Sequence, residues 1–166
     1  MIPVRGLNHA VLLVRDLARS REFYTTVLGF GVVSQGDGLV LLRAAGSDNH
    51  HDLGLIALGD RAQVPPPNAI GLYHLAWEVP TVEALATAVP VLSARGALVG
   101  ISDHGVSRSV YGRDPDDHEF ELMWRVPRAE WGEAAHQVVT RSLNLVAELS
   151  APRSRLDLWQ DRSGQH

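Results

Sequence analysis

The apolar positions of the chain form short strand-like runs and longer helical stripes, and their order occurs twice. The first run, "GLNHAVLLV" (6–14), precedes "DLARSREFYTTVLG" (16–29), whose apolar residues have helical spacing and which ends at Gly29. Three further runs, "FGVVSQ", "GLVLLRAA" and "HDLGLIAL", are rich in branched residues and predict strands. The first half of the chain therefore predicts a β-α-β-β-β module.

The second half repeats this order. "GLYHLAWEV" (71–79) matches the first run in the pattern G-L-x-H-x-x-x-x-V, at an offset of 65 residues. "TVEALATAVPVLSARG" predicts a helix that is capped by Thr81, kinked or shortened by Pro90 and ended by Gly96. "ALVGISDH", "SRSVYG" and "HEFELMW" predict three strands. A second β-α-β-β-β module follows from this pattern.

The two modules predict one α+β domain over residues 1–126. Module one spans 4–60 and module two spans 70–126, and three consecutive prolines in the linker 61–69 favour an extended connector between them. If the modules pack as a pseudo-twofold pair, their strands form a curved mixed sheet in which equivalent positions face one another.

The pattern changes after residue 126. Residues 127–151 carry an apolar stripe at helical spacing and predict a C-terminal helix, which would cover a cleft or form a contact between subunits of a homo-oligomer. Residues 152–166 begin with Pro152, are polar, and predict a loose tail.

Composition and charge exclude several classes of function. The chain has 166 residues, is 45% hydrophobic and carries a net charge of −4 with the two signs interspersed, so no basic surface for nucleic acid is predicted. It has no cysteine, which excludes disulfides, thiolate metal ligands and thiol catalysis. The N-terminus lacks the pattern of a membrane span or a signal peptide, and we expect a cytoplasmic protein.

Three polar residues stand out in the predicted strands. His9 and His74 are equivalent positions of the repeat, and Glu121 lies on the last strand of module two, on the same face as Glu119. Either histidine alone is better explained as a hydrogen-bonded core residue, but a core-facing carboxylate needs a partner. Two imidazoles and a carboxylate form the facial triad of non-haem Fe(II) sites, with three positions open.

The stretch "SDHGVSRSVYGRDPDDHEFE" carries a resemblance to a known family. From Val4 to Arg125 the chain resembles the vicinal-oxygen-chelate (glyoxalase/bleomycin resistance/dioxygenase) superfamily, whose paired βαβββ modules surround a divalent metal. Within it, the chain is most similar to single-domain type I extradiol catechol dioxygenases. Their signature residues are matched here by His104, Val110, Tyr111, Asp114, Pro115 and Glu121. Ser102 and Asp117 depart from the signature at positions that shape turns.

The resemblance implies a role for each matched residue. His9, His74 and Glu121 would bind the metal, for which Fe(II) is favoured over Mn(II) or another divalent ion. His51, which precedes Asp52 as in the family's His-Asp pair, would be the acid–base residue. The remaining two residues would contact the substrate, His104 by lining its pocket and Tyr111 by a hydrogen bond. The implied substrates are a catechol-type aromatic diol and O₂.

Other members of the superfamily supply alternative functions. A glyoxalase-like lyase or isomerase usually has a second carboxylate, but the 65-residue offset places Ile56 opposite Glu121, and no Glu lies between Glu22 and Glu78. A metal-free antibiotic-binding dimer generally lacks the metal triad. An antibiotic-modifying thiol transferase retains the triad and remains open, although it does not explain His104 and Tyr111.

Overall fold

The computed structural model describes residues 1–66 and 68–150 and confirms the repeated β-α-β-β-β order. The first module consists of β1 (Ala10–Val14), α1 (Leu17–Thr26), β2 (Gly31–Gly36), β3 (Leu39–Arg43) and β4 (Leu53–Ala57). The second consists of β5 (His74–Glu78), α2 (Val82–Ser93), β6 (Leu98–Asp103), β7 (Ser107–Arg113) and β8 (Glu119–Arg125). The chain divides into two compact units, 1–71 with 114–118, and 72–113 with the described residues from 119 onward.

Each unit contains its own four-stranded sheet, where the sequence predicts one curved sheet. The strand orders are β1-β4-β3-β2 and β5-β8-β7-β6. In each, the first strand of the module pairs in parallel with the last, and the other pairs are antiparallel. Because the first and last strands of a module are neighbours, each module forms a complete sheet from its own four strands.

In the first unit, alternate strand residues face α1 and form the core. Val14, Val40, Leu42, Leu53 and Leu55 are fully buried. Residues at the intervening positions are more exposed, as the strand period of two requires. The helix begins where the Asp16 carboxylate accepts hydrogen bonds from the backbone N–H groups of Ala18 and Arg19 at 2.9 and 3.1 Å.

The turn Asp114–His118, which joins β7 to β8, belongs to the first unit and is held by α1. The hydroxyl of Tyr24 donates to Asp114 Oδ2 at 3.0 Å, and His118 Nδ1 lies 3.0 Å from the same oxygen. The guanidinium of Arg19 donates to Asp116 at 2.9 Å, as does the backbone N–H of Arg15. The turn therefore has specific polar partners at two of its three carboxylates, Asp114 and Asp116.

This network shifts the pKa of its members. Burial and the Asp114 carboxylate raise the pKa of Tyr24. Burial alone would raise the pKa of Asp114, but the hydrogen bond and charge of His118, with two backbone N–H donors, hold it below its usual value. The hydrogen bond to Asp114 raises the pKa of His118, and this outweighs the opposing effect of burial.

Tyr24→Phe should destabilise the protein by about 1–3 kcal/mol, because it removes a hydrogen-bond donor from a buried carboxylate and leaves the packing of the ring unchanged. Urea unfolding at neutral pH measures the difference. Tyr73→Phe is the matched control, since Tyr73 is largely exposed and should give a change near zero. Equal stabilities for Tyr24→Phe and the native chain would contradict the role given to this hydroxyl.

The stabilisation from His118 should depend on pH. Because the folded-state pKa of His118 is raised, the contribution is fully present below the unfolded value of about 6.5 and is lost as the pH rises through the folded value. The difference in unfolding free energy between the native chain and His118→Gln should therefore shrink between pH 5 and pH 8. A difference that stays constant over this range would show that the ion pair with Asp114 does not stabilise the fold.

The second unit buries Leu85 and Leu92 of α2 together with Val110 and Phe120. Gly112 lies opposite Phe120, and a Cβ atom at Gly112 would come within 2.5 Å of the Phe120 ring. The Phe120 ring therefore lies over the backbone of Gly112, and any larger residue at 112 would collide with it. The hydroxyl of Thr81 caps α2 by accepting from Ala84 N at 3.2 Å, as predicted.

Pro90 lies inside α2 and does not interrupt it. The proline removes one backbone donor, but Ala94 N donates to the Pro90 carbonyl at 3.0 Å and maintains the last turn. The helix ends at Ser93, and the left-handed Gly96 (φ 63°) follows, as the sequence predicts.

The C-terminal helix is present but shorter than the predicted 127–151. Residues Arg128–Glu130 and Gly132–His136 form short 3₁₀ helices, and the α-helix α3 spans only Leu145–Ser150. Gly132 adopts a left-handed φ of 48°, which a continuous α-helix does not allow. Farther along, the backbone of Arg141 pairs with that of Asp103, so the chain is not helical at that point either. Residue 151 and the predicted tail 152–166 lie outside the described residues.

The linker 61–69 has neither helix nor strand among its described residues. In the described ranges 1–66 and 68–150, no helix is both long and apolar enough to span a membrane.

Candidate metal centre and active site

His74 and Glu121 meet on one face of the second sheet. His74 opens β5, and the parallel pairing of β5 with β8 sets Ala76 beside Glu121, so His74 is two residues away on the same face. The distance from His74 Nε2 to Glu121 Oε2 is 3.1 Å. Glu121 is 9% exposed, which makes it a buried carboxylate whose nearest cationic or metal-binding group is an imidazole.

This distance fits two ligands of one metal ion. Two donor atoms bonded at about 2.1 Å in adjacent octahedral positions are about 3.0 Å apart. An imidazole nitrogen and a carboxylate oxygen suit Fe(II), Mn(II) and similar divalent ions. The other ring nitrogen, Nδ1, is buried and has no hydrogen-bond partner among the described residues, so the polar contacts of this ring are made through Nε2.

Tyr111 and His104 continue the row of polar groups that begins with His74 and Glu121. Tyr111 on β7 lies directly opposite Glu121 on β8, and its hydroxyl is 3.3 Å from Glu121 Oε1. His104 Nε2 lies 2.8 Å from the hydroxyl oxygen of Tyr111. Burial and the Glu121 carboxylate raise the pKa of Tyr111 to about 12, so the hydroxyl keeps its proton at neutral pH and remains a hydrogen-bond donor.

His9 and His51 lie side by side in the first unit. His9 immediately precedes β1, and His51 lies two residues before β4, the parallel partner of β1. Their ring centroids are 4.5 Å apart. His9 Nδ1 contacts the side-chain oxygen of Asn8 at 2.9 Å, and His51 Nδ1 lies 3.0 Å from His50 Nδ1. These contacts use Nδ1 of each ring.

Asp52 holds the loop that carries His51. Its carboxylate accepts hydrogen bonds from the Ser47 hydroxyl at 2.7 Å, the Asn49 side chain at 2.8 Å and the Ala44 N–H at 2.8 Å. Burial by itself would raise the pKa of Asp52, but these bonds and the charge of Arg43 hold it below its usual value. In the pair His51-Asp52, the aspartate therefore has a structural role, because it fixes the loop that carries His51.

The predicted site residues fall into two groups. The second unit brings together His74, Glu121, Tyr111 and His104, whereas His9 and His51 belong to the first unit. Taken by itself, neither unit contains within its described residues three or more His, Asp or Glu side chains arranged to hold a metal. His118 lies outside both groups, because its Nδ1 is 3.0 Å from Asp114 Oδ2 in the turn.

Strand pairing corrects the position expected for a second carboxylate. Glu121 pairs with Ala76, and Val11, which is equivalent to Ala76 by the repeat, pairs with Gly54. The structural equivalent of Glu121 is therefore Gly54 and not Ile56, because the spacing between the first and last strands differs by two residues in the two modules. A Cβ atom at Gly54 would already lie 3.2 Å from the Val11 side chain.

The C-terminal segment contributes contacts that sequence reasoning missed. The backbone carbonyl of Val139 lies 2.9 Å from His104 Nδ1, and Arg108 bonds Glu148 at 2.9 Å. A backbone carbonyl leaves no signal in the residue pattern, and the spacing of Arg108 and Glu148, 40 residues apart, does not indicate a pair.

A family model described as the Glyoxalase/Bleomycin resistance protein/Dioxygenase superfamily matches residues 6–122. The catechol-2,3-dioxygenase of Bacillus subtilis (strain 168) is 34% identical over 126 residues, which are 75% of this chain and 43% of that protein. Biphenyl-2,3-diol 1,2-dioxygenase 2 of Rhodococcus globerulus is 30% identical over 69% of this chain and 60% of its own length.

The name of a further relative includes a metal. The manganese-dependent 2,3-dihydroxybiphenyl 1,2-dioxygenase of Geobacillus genomosp. 3 is 28% identical over 78% of this chain and 40% of its own length. The chain thus spans about half the length of the curated relatives it matches. Among solved structures, a glyoxylase/bleomycin resistance protein/dioxygenase domain from Frankia sp. EAN1pec has a TM-score of 0.64 at 22% identity, covering 75% of this chain and 100% of that one, which is a likeness of fold.

Proposed function

Because the chain belongs to the Glyoxalase/Bleomycin resistance protein/Dioxygenase superfamily, we propose that it is a metal-dependent extradiol dioxygenase that cleaves a catechol-type aromatic diol with O₂. The observation that supports this most is the row formed by His74, Glu121, Tyr111 and His104 on one face of the second sheet. It combines a pair of metal ligands with the two polar groups of the dioxygenase signature.

The metal would be held by His9, His74 and Glu121. Fe(II) is the proposed ion because the reaction uses O₂, and Mn(II) is the alternative, since a relative carries manganese in its name. When bound, the ion would supply a Lewis acid, redox chemistry with O₂ and coordination positions for the oxygens of the diol.

Tyr111 would orient the diol. Its hydroxyl keeps its proton at neutral pH, because burial and Glu121 raise its pKa to about 12. When Glu121 is engaged as a ligand, this proton is available to donate a hydrogen bond to a deprotonated diol oxygen. A donor fixed by the cross-strand pair stabilises developing negative charge without having to reorient.

The proton transfers are assigned to His51. Ring cleavage requires a proton to leave the diol as it binds and to return as the O–O bond breaks, and an imidazole titrates in the required range. His51 is half-buried and lies on a loop that Asp52 fixes. In the balanced reaction the ring C–C bond adjacent to the diol breaks, and both atoms of O₂ enter the single product.

The absence of a second carboxylate favours the dioxygenase over a glyoxalase-like reaction. Gly54 occupies the position equivalent to Glu121, and a Cβ atom there would already be in tight contact, 3.2 Å, with the Val11 side chain. The first module thus supplies no acidic ligand at that strand position, and the coordination sphere stays open for the diol and O₂.

Oxygen uptake tests this proposal. The purified chain is loaded with Fe(II) under anaerobic conditions, mixed with catechol or 2,3-dihydroxybiphenyl, and then exposed to air, with a Mn(II)-loaded sample in parallel. We expect equal consumption of O₂ and diol together with a yellow ring-fission product, and none from the chelated protein. A folded, metal-loaded protein that consumes no O₂ with either diol would contradict the proposal.

A further inference from the structure

The C-terminal segment, defined here as residues 137–150, lies beyond residues 6–122 that match the family. Its shortest contact with the row of polar groups is made by the backbone carbonyl oxygen of Val139, which lies 2.9 Å from His104 Nδ1. Val139 is 9% exposed, and its contact with His104 is part-buried.

Two further interactions hold the segment in place. Arg141 and Asp103 exchange backbone hydrogen bonds, N–H to carbonyl, at 2.9 and 3.0 Å. Arg108 donates to Asp103 at 2.7 Å and to Glu148 at 2.9 Å, and its side chain is only 15% exposed. Asp103 immediately precedes His104, so the segment is fastened next to the histidine that it contacts.

A carbonyl oxygen can only accept a hydrogen bond, and this constrains His104. The proton of the neutral imidazole must be on Nδ1, which leaves the lone pair of Nε2 directed at Tyr111. The Tyr111 hydroxyl can donate a hydrogen bond to Nε2 over the 2.8 Å between them, and its other acceptor, Glu121 Oε1, is farther away at 3.3 Å. The contact between the Thr140 hydroxyl and Nδ1 is longer, at 3.5 Å. Because a hydroxyl can both donate and accept a hydrogen bond, this contact does not fix the tautomer.

We propose that Val139 is a positioning residue, whose carbonyl holds His104 in the Nδ1–H tautomer and so makes Nε2 the acceptor for the Tyr111 hydroxyl. The segment 137–150 thereby gives the Tyr111 hydroxyl a second acceptor, His104 Nε2, beside Glu121 Oε1 before a substrate arrives. The consequence for catalysis rests on the proposed function, whereas the tautomer itself does not.

Nitrogen-15 NMR of the histidine side chains in the metal-free protein tests the tautomer directly. The His104 ring is assigned as the signal missing from His104→Gln. We expect the neutral ring to carry its proton on Nδ1, with Nε2 unprotonated. A His104 ring protonated on Nε2 alone would overturn the proposal, and this result requires neither metal nor diol.

Two variants at one position test the source of the restraint. Arg141→Pro removes the backbone N–H that donates to Asp103, whereas Arg141→Ala removes the same side chain and keeps that N–H. We expect the Nδ1–H preference to be lost in Arg141→Pro and retained in Arg141→Ala. Retention in both folded variants would overturn the role of the segment, and if Arg141→Pro does not fold, the tautomer in the native chain decides.

Thr140→Val separates the carbonyl from the nearby hydroxyl. It should leave the tautomer unchanged, and a change would assign the restraint to Thr140 instead. If the chain has the proposed activity, turnover in Arg141→Pro should fall by about tenfold, the size of one hydrogen bond, and that in Arg141→Ala should be unchanged. An inactive native chain would count against the proposed function and would leave the tautomer result intact.

Discussion

Replacing Glu121 with glutamine should abolish stoichiometric Fe(II) binding and reduce diol cleavage by more than about a hundredfold. Losing even a group that supports a metal ligand typically costs ten- to a hundredfold in metal affinity or activity, and this change would remove a proposed ligand itself. Glutamine retains the size of the side chain, so the pairing of Glu121 with Tyr111 across the sheet should persist. The lost property is the negative charge 3.1 Å from His74 Nε2.

Metal content after Fe(II) loading and gel filtration measures this effect. Glu119→Gln is the matched control, because Glu119 lies on the same strand face two residues earlier and pairs with Arg113 at 3.5 Å. We expect the control to bind one equivalent of Fe(II). Native-like Fe(II) binding by Glu121→Gln would show that this carboxylate is not a metal ligand.

His51→Gln should keep the metal and slow turnover by about a hundred- to ten-thousandfold, the usual contribution of a general acid–base residue. Glutamine retains hydrogen-bonding groups but cannot exchange a proton near neutral pH. His51 is placed for this role by a loop that Asp52 anchors, and its ring lies against the ring of His9. The expected loss is therefore in turnover, with Fe(II) content unchanged.

His50→Gln controls for the loss of a neighbouring imidazole. His50 is adjacent and exposed, and it touches His51 through Nδ1 of both rings. Its replacement should change turnover only slightly. If His51→Gln is as active as the native chain, or if His50→Gln is equally impaired, the proton transfers are not assigned correctly.

The sequence predicted the elements and brought His74 and Glu121 onto one sheet because both inferences depend on local periodicity and on the repeat. Alternation along β8 places Glu121 on the inward face, and the repeat makes His74 the first residue of the strand that pairs with it. Tyr111 and His104 followed from the resemblance to the signature, and in the structure Tyr111 contacts the Glu121 carboxylate while His104 contacts Tyr111. The placement of His74 and Glu121 needed only strand geometry and the equivalence of the two modules, whereas Tyr111 and His104 needed the resemblance to a known family.

Other features could not be predicted, because they join distant parts of the chain. The Tyr24–Asp114 hydrogen bond links residues 90 positions apart, and it holds a turn of module two in the first unit. The C-terminal stripe predicted one long helix, but the backbone pairing of Arg141 with Asp103 determines its path. Propensity and periodicity do not report such pairings, which depend on tertiary context.

Anomalous scattering at the iron edge from crystals of the Fe(II)-loaded protein tests the central claim most directly. We predict one iron within bonding distance of the ring nitrogens of His9 and His74 and of a carboxylate oxygen of Glu121, with its remaining positions held by water or diol. Iron bound elsewhere, or bound without any one of these three side chains, would contradict the proposed metal centre.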